Sequence, residues 1–550
     1  MATQRTCSGS LSYRRKVLIV GAVLGLAVTG CSASSESSDS SSSTDPLPQA
    51  TPPTLTWGPC ADGSAGAADV SAFRCSSAAV PLDYADPTAK SLQLAAIQHP
   101  ATDPANRVGT LFFNPGGPGG EGTVQFPQWI GAFPEELKAR FDIVSWDPRG
   151  IGASTAVQCF DSEDAEGELL GSVDAFPADA ADQKAFIDVY SQVGKKCADR
   201  AGELLEYVST ADTARDLDLL RQAVGDDKTT YWGVSYGTFL GATYANLFPD
   251  HVRALVLDGN IDPLAWTANG DSAPDKSINL RIGSAAAANE SVEAFLKYCG
   301  ETSTELCEFS AGSAEATAAK WTTLLERLRA QPVTIGTGDA EQSITYPSLV
   351  SQIDNAMDLA FTAGGITGWP AAAASLQKLW IASEQPAAPA PPPAPAPAPA
   401  DQSYTGPEQS WAVMCGDAPS PPASAWPGLA DDAAKVASDS GANLVWSDVV
   451  CAGWTTRAKL PYAGPWDAKT EPTILVVNNT HDPSTPYANG EAMVKRLDNA
   501  QLLKVEGYGH TALLNPSACA YTAITKYLLD GTTLPAKDAV CAQDRKPFEK

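Results

Sequence analysis

The chain has 550 residues, with 64 Asp and Glu against 37 Lys and Arg, which gives a net charge of −27 at pH 7. This excess of acidic residues argues against nucleic-acid binding, because contacts to phosphates need a basic surface. The length exceeds that of one simple domain and fits either a core with a large insertion or two domains.

The N-terminus predicts export. A basic segment at 14–16 precedes an apolar stretch at 17–28. This stretch is too short and too rich in Gly and Ala to favour a transmembrane helix. We therefore expect a signal peptide over 1–30. The residues Val-Thr-Gly-Cys at 28–31 resemble a bacterial lipobox, which implies that Cys31 is lipidated and anchors an exported protein to the outer face of the cell membrane. An ordinary signal peptide with a chance cysteine is the alternative.

Residues 31–54 are rich in Ser and have few apolar side chains, which predicts a flexible tether behind the anchor. Cleavage after residue 30 would remove four basic residues and no acidic ones, so the net charge would change from −27 to −31.

Apart from Cys7 and Cys31, the chain contains ten cysteines, an even number in a chain with an export signal, which predicts disulfides. Pairing neighbours along the chain would close five short loops, each worth about 3 kcal/mol if unstrained, although sequence alone leaves the connectivity open. No pair has CxxC spacing and no histidine lies near, so we expect no metal site. The ten are Cys60, Cys75, Cys159, Cys197, Cys299, Cys307, Cys415, Cys451, Cys519 and Cys541.

Short apolar runs that end at turn residues predict strands buried on both faces. Helix-like segments lie between them, at 210–224 and 236–247. This order predicts an α/β fold with a mostly parallel sheet and helices on both faces. The predicted strands are 108–113, 141–146, 229–234, 252–257, 473–477 and 502–505.

Between 263 and 465 the pattern changes to Ala- and Leu-rich helical segments such as 314–330. We predict a mainly helical cap there, inserted between the two parts of an α/β core at 55–262 and 466–550. The Ala/Pro tract at 386–400 predicts an exposed loop prone to polyproline II, and a spacer role is favoured over a proline-rich ligand.

The residues Gly-Val-Ser-Tyr-Gly at 233–237 form a G-x-S-x-G pattern. They follow a predicted strand and precede a helix-like segment, which is the strand–turn–helix context of a nucleophile elbow. This context predicts a strained turn that raises the hydroxyl of Ser235 above the sheet. An ordinary Gly-rich turn is the alternative.

A nucleophilic serine needs a histidine base, and the chain has only four histidines. In a strand–elbow fold the order along the chain is Ser, acid, His. His99 precedes the elbow, and His251 begins the next strand and is interpreted as structural. His510 follows the last predicted strand in a loop that can return to the elbow, so it is the predicted base. His481 is the alternative.

Asp482 lies in the loop after the preceding strand, where the fold places the acid, so it is the predicted partner of His510. Asp258, after the strand that follows the elbow helix, is the alternative acid. With an unshifted imidazole, activity would fall below about pH 6.5 as His510 gains a proton.

The residues Asn-Pro-Gly-Gly-Pro-Gly-Gly at 114–120 follow a predicted strand and leave backbone N–H groups open. The N–H of Gly117, or alternatively of Gly116, together with that of Tyr236 predicts an oxyanion hole. A plain Gly/Pro turn is the alternative.

Together these motifs resemble the secreted tripeptidyl aminopeptidase and proline iminopeptidase-like family of α/β-hydrolases. The resemblance implies an α/β-hydrolase fold and a serine exopeptidase that acts on small peptides with a free N-terminus, without a cofactor. An esterase or lipase with the same triad is the alternative, because fold does not fix the substrate. A non-catalytic surface lipoprotein is a third hypothesis, and the complete Ser/Asp/His set argues against it. The residues that carry the resemblance are 114–120, 147–150, 233–237, 482–486, His510, Cys519 and Cys541.

The chain departs from the family pattern at two positions. Asn114 opens the glycine loop where iminopeptidases have His, which favours the secreted branch. Glu121 stands where relatives often have Ser, and its carboxylate either binds a substrate ammonium or faces solvent.

Overall fold

The computed structural model describes residues 47–66, 68–269, 274–336, 341–361, 368–384 and 404–549. The predicted signal peptide, Cys31, most of the tether and the Ala/Pro tract at 386–400 lie outside these residues. Within them, no helix combines the length and the apolar character that a membrane crossing requires.

Ten of the strands in the described chain form one sheet, in the order β1-β2-β3-β5-β4-β6-β7-β10-β11-β12, and β8 and β9 form a separate hairpin. The strands are β1 Gly58–Pro59, β2 Arg74–Pro81, β3 Ser91–His99, β4 Gly109–Asn114, β5 Phe141–Trp146, β6 Thr229–Val234, β7 Val252–Asp258, β8 Val333–Ile335, β9 Gln342–Ile344, β10 Ile474–His481, β11 Ala500–Tyr508 and β12 Val540–Ala542.

The pairing confirms the predicted mostly parallel sheet. From β5 through β4, β6, β7, β10 and β11 to β12, every neighbouring pair is parallel. The pairs β1–β2, β2–β3 and β3–β5 are antiparallel. All six predicted strands are present, two of them with the predicted bounds, at 141–146 and 229–234.

Helices occur both in the two predicted core parts and in the region between β7 and β10. The predicted helix at 210–224 is α5, whose first turn is capped by the hydroxyl of Ser209, and the predicted segments 236–247 and 314–330 are α6 and α10. The helices are α1 Gly122–Trp129, α2 Glu135–Arg140, α3 Glu163–Leu170, α4 Ala180–Ala201, α5 Thr210–Ala223, α6 Tyr236–Leu247, α7 Pro263–Thr267, α8 Ile278–Ile282, α9 Ser284–Gly300, α10 Ala314–Ala330, α11 Tyr346–Ala356, α12 Trp369–Ser383, α13 Glu408–Asp417, α14 Trp426–Ser447, α15 Tyr487–Arg496 and α16 Ala518–Asp530.

Between β7 and β10 the described chain is mainly helical, from α7 to α14, with the short β8–β9 hairpin added. We call residues 263–465 the inserted segment. It contributes most of a separate apolar cluster, in which Phe295, Leu324, Trp369 and Trp426 are fully buried. Burial of this size supplies the segment with its own hydrophobic stabilisation, besides that of the sheet.

Five disulfides join cysteines that are neighbours along the chain, with sequence separations from 8 to 38. Neighbour pairing is therefore the connectivity of this structure. The pairs are Cys60–Cys75, Cys159–Cys197, Cys299–Cys307, Cys415–Cys451 and Cys519–Cys541.

The motif at 147–150 is a buried structural junction after β5. The guanidinium of Arg149 is fully buried and forms two hydrogen bonds to the carboxylate of Asp216, at 2.7 and 2.6 Å. It also donates to the carbonyl oxygens of Pro81 in β2, Leu82 and Tyr207. A buried cation needs such a full set of partners, so this motif holds β2, the turn after β5 and α5 together.

Candidate active site

Ser235 occupies a sharp turn between β6 and α6, with φ 56° and ψ −127°. Its N–H donates to the carbonyl of Asp258 on the neighbouring strand, at 2.9 Å. Its glycine neighbours have no room for side chains, because a Cβ on Gly233 would lie 2.3 Å from the Gly237 oxygen, and one on Gly237 would lie 2.7 Å from Asn114 Oδ1. A non-glycine residue held at positive φ by such packing is characteristic of a functional site.

The glycine loop after β4 packs directly on this turn. A Cβ on Gly116 would lie 2.6 Å from the Val234 oxygen and 2.8 Å from Ser235 Cβ. Asn114 orients the loop, because its Oδ1 accepts the Gly116 N–H at 3.0 Å. The loop backbone therefore lies against the serine with no side chain between them.

Asp482 and His510 meet at the carboxyl ends of two adjacent parallel strands, β10 and β11. The His510 Nδ1 lies 2.9 and 3.0 Å from the two carboxylate oxygens of Asp482. Asp482 is fully buried, whereas 12% of the His510 side chain is exposed. Parallel pairing brings these two loops to the same edge of the sheet, which is where an α/β sheet places its ligand site.

Thr485 supports this pair and was not singled out in the sequence. Its N–H and hydroxyl donate to the two oxygens of Asp482, at 2.7 and 2.9 Å, and its Oγ1 lies 3.2 Å from His510 Nδ1. These two bonds restrict the orientation of the carboxylate that contacts the imidazole. Its position inside the 482–486 motif was the available signal.

The surroundings of His510 shift its pKa. Burial lowers the pKa of the imidazole, but the carboxylates of Asp482, Asp358 and Asp258 raise it, and the net result lies above the ordinary value, at about 9. Nearby negative charge favours the imidazolium, so this site stabilises the protonated form that a general base passes through.

Ser235 and His510 border the same end of β7. A Cβ on Gly259 would lie 3.2 Å from His510 Cε1, and the preceding residue, Asp258, accepts the Ser235 N–H. The Asp258 carboxylate accepts the N–H groups of Ala512 and Leu513, at 2.8 and 2.9 Å. The alternative acid is therefore bound to the backbone of the histidine loop, whereas Asp482 is the carboxylate hydrogen-bonded to the imidazole.

The other histidines have other partners. The Nδ1 of His481 lies 2.7 Å from Glu290 Oε1 on α9, so this histidine does not share the Asp482 carboxylate. The Nδ1 of His251 lies 2.8 Å from Oδ1 of Asp218 on α5. His99 lies at the end of β3.

Three residues of the inserted segment approach the site. The backbone carbonyl of Asp358 accepts the His510 N–H at 2.7 Å. Ser410 on α13 closes over the glycine loop, where a Cβ on Gly119 would lie 2.9 Å from its Cβ. Asp417 at the end of the same helix accepts the N–H of Thr210, at 3.0 Å, and the Thr210 hydroxyl is hydrogen-bonded to that of Tyr236, the residue after Ser235. None lies in a motif that sequence alone could recognise.

Glu121 directly precedes α1, and its side chain is partly buried. A Cβ on Gly152 would lie 2.9 Å from its Cγ, so the side chain packs beside the turn after β5. Across the described residues, no three His, Cys, Asp or Glu side chains are grouped to hold a metal ion.

The sheet order and the elbow define a protein of the α/β-hydrolase fold class. Residues 109–283 match the family model described as alpha/beta hydrolase fold, and residues 435–541 match the model described as TAP-like protein.

The chain is 30% identical to the tripeptidyl aminopeptidase of Streptomyces lividans, over 86% of this chain and 84% of that protein. It is also 30% identical to carboxylesterase B of Mycobacterium tuberculosis, over 89% and 90% of the two chains, and 27% identical to serine protease Hip1 of the same organism, over 87% and 89%. The chain belongs to the tripeptidyl aminopeptidase-like family of α/β-hydrolases, which confirms the resemblance read from its motifs.

Proposed function

We propose that this chain is a serine peptidase, and specifically an aminopeptidase that releases short N-terminal peptides through an acyl-enzyme on Ser235. The observation that carries the serine-hydrolase chemistry is the hydrogen-bonded pair of His510 and Asp482 at the sheet edge that also holds the elbow serine. The similarity to the tripeptidyl aminopeptidase of Streptomyces lividans and to serine protease Hip1 supports a peptide substrate.

In the proposed mechanism, the hydroxyl oxygen of Ser235 attacks the scissile carbonyl and His510 takes the hydroxyl proton. Because Nδ1 faces Asp482, the proton goes to Nε2. His510 then gives this proton to the leaving amine, and the acyl group stays on Ser235. A water molecule then loses a proton to His510 and attacks the acyl carbonyl, and His510 returns the proton to the Ser235 oxygen as the peptide leaves with a free carboxyl group.

The developing oxyanion is stabilised by the backbone N–H groups of Gly117 and Tyr236. Tyr236 is the first residue of α6, so its N–H has no carbonyl one turn earlier in the helix. The N–H of Gly116, the alternative donor, is already bonded to Asn114, which favours Gly117.

A panel of chromogenic substrates tests the proposal. Mono-, di- and tripeptidyl amides, each with a free and a blocked N-terminus, are compared with short acyl esters, and Ser235→Ala serves as the control. We expect cleavage only of the peptides with a free N-terminus. The peptide length that is cleaved fastest then measures the space between Ser235 and the group that binds the substrate's N-terminus. Cleavage of blocked peptides or of esters alone would contradict the aminopeptidase assignment.

A carboxylesterase is the second candidate, and the 30% identity to carboxylesterase B favours it. The two candidates share the acyl chemistry and differ in what the pocket accepts. Turnover of the acyl esters with none of the peptide amides would select the esterase.

We also propose that the protein is an exported lipoprotein anchored through Cys31. The segment 14–31 supports this proposal, because basic residues are followed by an apolar stretch and then by two small residues and a cysteine. Two or more acyl chains on that cysteine would anchor the protein stably. Wild type should incorporate labelled palmitate and sediment with membranes, whereas Cys31→Ala should do neither. Equal labelling of both proteins would contradict the anchor.

A further inference from the structure

Two loops must be aligned before His510 can act as a base. The acid loop (482–486) carries Asp482, and the base loop (509–515) carries His510. They follow different strands, so their alignment depends on contacts made beyond the sheet.

One residue of the inserted segment touches both loops. The carboxylate of Asp358 accepts the hydroxyl of Ser484 in the acid loop at 2.6 Å. Its backbone carbonyl accepts the N–H of His510 in the base loop at 2.7 Å. Ser484 in turn donates its own N–H to Asp482, at 3.0 Å.

A second residue locks this arrangement. The amide of Asn515 donates to the carbonyl oxygens of Asp358 and His510, at 3.1 and 2.8 Å, and its Oδ1 accepts the N–H of Ala360 at 3.0 Å. The turn after α11 is therefore bonded to the base loop at three points. Hydrogen bonds of this kind restrict the orientation of the group they support.

We propose that Asp358 is a positioning residue for the catalytic pair: through Ser484 and through the His510 N–H it clamps the acid loop to the base loop. The inference rests on the proposed roles of Ser235, His510 and Asp482. It makes the inserted segment part of the catalytic framework, so this segment does more than cover a substrate.

The chain offers a matched control in Asp354, one turn earlier. Its carboxylate is also buried and hydrogen-bonded, but to Ser440 and Asn443 within the inserted segment, at 2.6 and 2.7 Å. Asp354→Asn therefore changes a similar carboxylate without touching either catalytic loop.

The main readout is the rate at which a fluorophosphonate labels Ser235, because this reaction reports the serine and its base whatever the natural substrate is. Asp358→Ala should lower that rate and kcat together by about 10- to 100-fold, the range expected when a catalytic group is displaced, and KM should change little. Asp354→Asn should label at the wild-type rate.

Asp358→Asn separates position from charge. An amide oxygen still accepts the Ser484 hydroxyl, so labelling at high pH should be close to wild type. The charged groups that face His510 are Asp482, Asp358 and Asp258. Removal of one of these charges destabilises the imidazolium, so the acid limb of the labelling rate should move to lower pH.

A double-mutant cycle tests the shared bond. Ser484→Ala breaks the same contact from the other loop, so Asp358→Ala and Ser484→Ala together should cost little more than the worse single variant.

Two results would overturn the clamp outright: a wild-type labelling rate in Asp358→Ala with an unmoved acid limb, or fully additive losses in the double-mutant cycle. A third would also overturn it: if Asp358→Ala raised KM for free-amine peptides and left labelling normal, Asp358 would contact the substrate instead. Failure of the underlying proposal looks different, because His510→Ala would then label as fast as wild type.

Discussion

The sheet and the inserted segment contribute to the site in different ways. At the elbow, the two glycines that leave room for the turn, Gly233 and Gly237, lie within two positions of Ser235, the predicted nucleophile. In the inserted segment, Asp358 and Ser410 approach the site from separate parts of the chain. A strained turn requires particular residues next to it in the sequence. The contacts that the inserted segment makes with the site depend instead on how its helices pack. The elbow around the predicted nucleophile is therefore encoded locally, whereas the approach of the inserted segment is not.

The largest expected effect tests the sheet side of this comparison. Ser235→Ala should lower kcat on the order of 10⁶-fold, because the acyl-enzyme cannot form, and His510→Ala should do nearly the same. Turnover by purified protein measures this, with unchanged thermal unfolding as the control for folding. Activity that survives in Ser235→Ala would remove the nucleophile assignment.

The next effect distinguishes the two candidate acids. Asp482→Asn should lower kcat by about 10⁴-fold, because the imidazole loses the partner that holds its tautomer. Asp258→Asn should cost much less, since Asp258 bonds the loop backbone at Ala512 and Leu513. Measuring kcat for both variants distinguishes the two acids. A larger loss in Asp258→Asn than in Asp482→Asn would make Asp258 the acid.

A smaller effect tests the close approach of the glycine loop to the elbow. Gly116→Ala places a Cβ 2.8 Å from Ser235 Cβ, at a residue whose φ is +93°. The loop must shift and the oxyanion donors with it, so we expect a loss in kcat of about 10²- to 10³-fold. Gly131→Ala, with no atom within 4 Å of the new Cβ, is the matched control. Equal kcat values in both variants would show that the loop does not shape the site.

The pH dependence of kcat/KM tests the electrostatic surroundings of His510. A general base must be neutral, and the carboxylates around His510 raise its pKa above the ordinary 6.5, to about 9. Acidification therefore protonates His510 at a higher pH than in a model peptide, so kcat/KM should fall already above pH 6.5. A pH–rate profile measures this, and an acid limb at 6.5 or below would mean that the free enzyme lacks the shift.

The smallest effect on activity belongs to the buried ion pair of Arg149 and Asp216. Arg149→Met leaves the Asp216 carboxylate buried with the Tyr84 hydroxyl but without its cation, which should lower the free energy of unfolding by about 3–5 kcal/mol and leave kcat at 25 °C nearly unchanged. Urea unfolding measures it, with Lys184→Met at an exposed helical pair with Asp188 as control. A loss no greater than in the control would show that the pair contributes nothing.

Sequence reasoning found the strands that carry the site because they are continuous apolar runs. It missed β2 and β3 because neither is a continuous buried apolar run: the first four residues of β2 are exposed or half-buried, and Ser91 and Gln93 of β3 are exposed. The β8–β9 hairpin, only three residues per strand, was missed because so short a run has no usable periodicity.

By itself, the sequence determined the α/β class, the elbow at Ser235 and the order of the predicted acid and base, because strain and strand burial leave local signatures. Only the tertiary structure decided that Asp482, and not Asp258, bonds His510, and that Asp358 reaches both loops. These contacts join residues far apart in the chain, and their partners are selected by parallel strand pairing and helix packing, which a single sequence does not display.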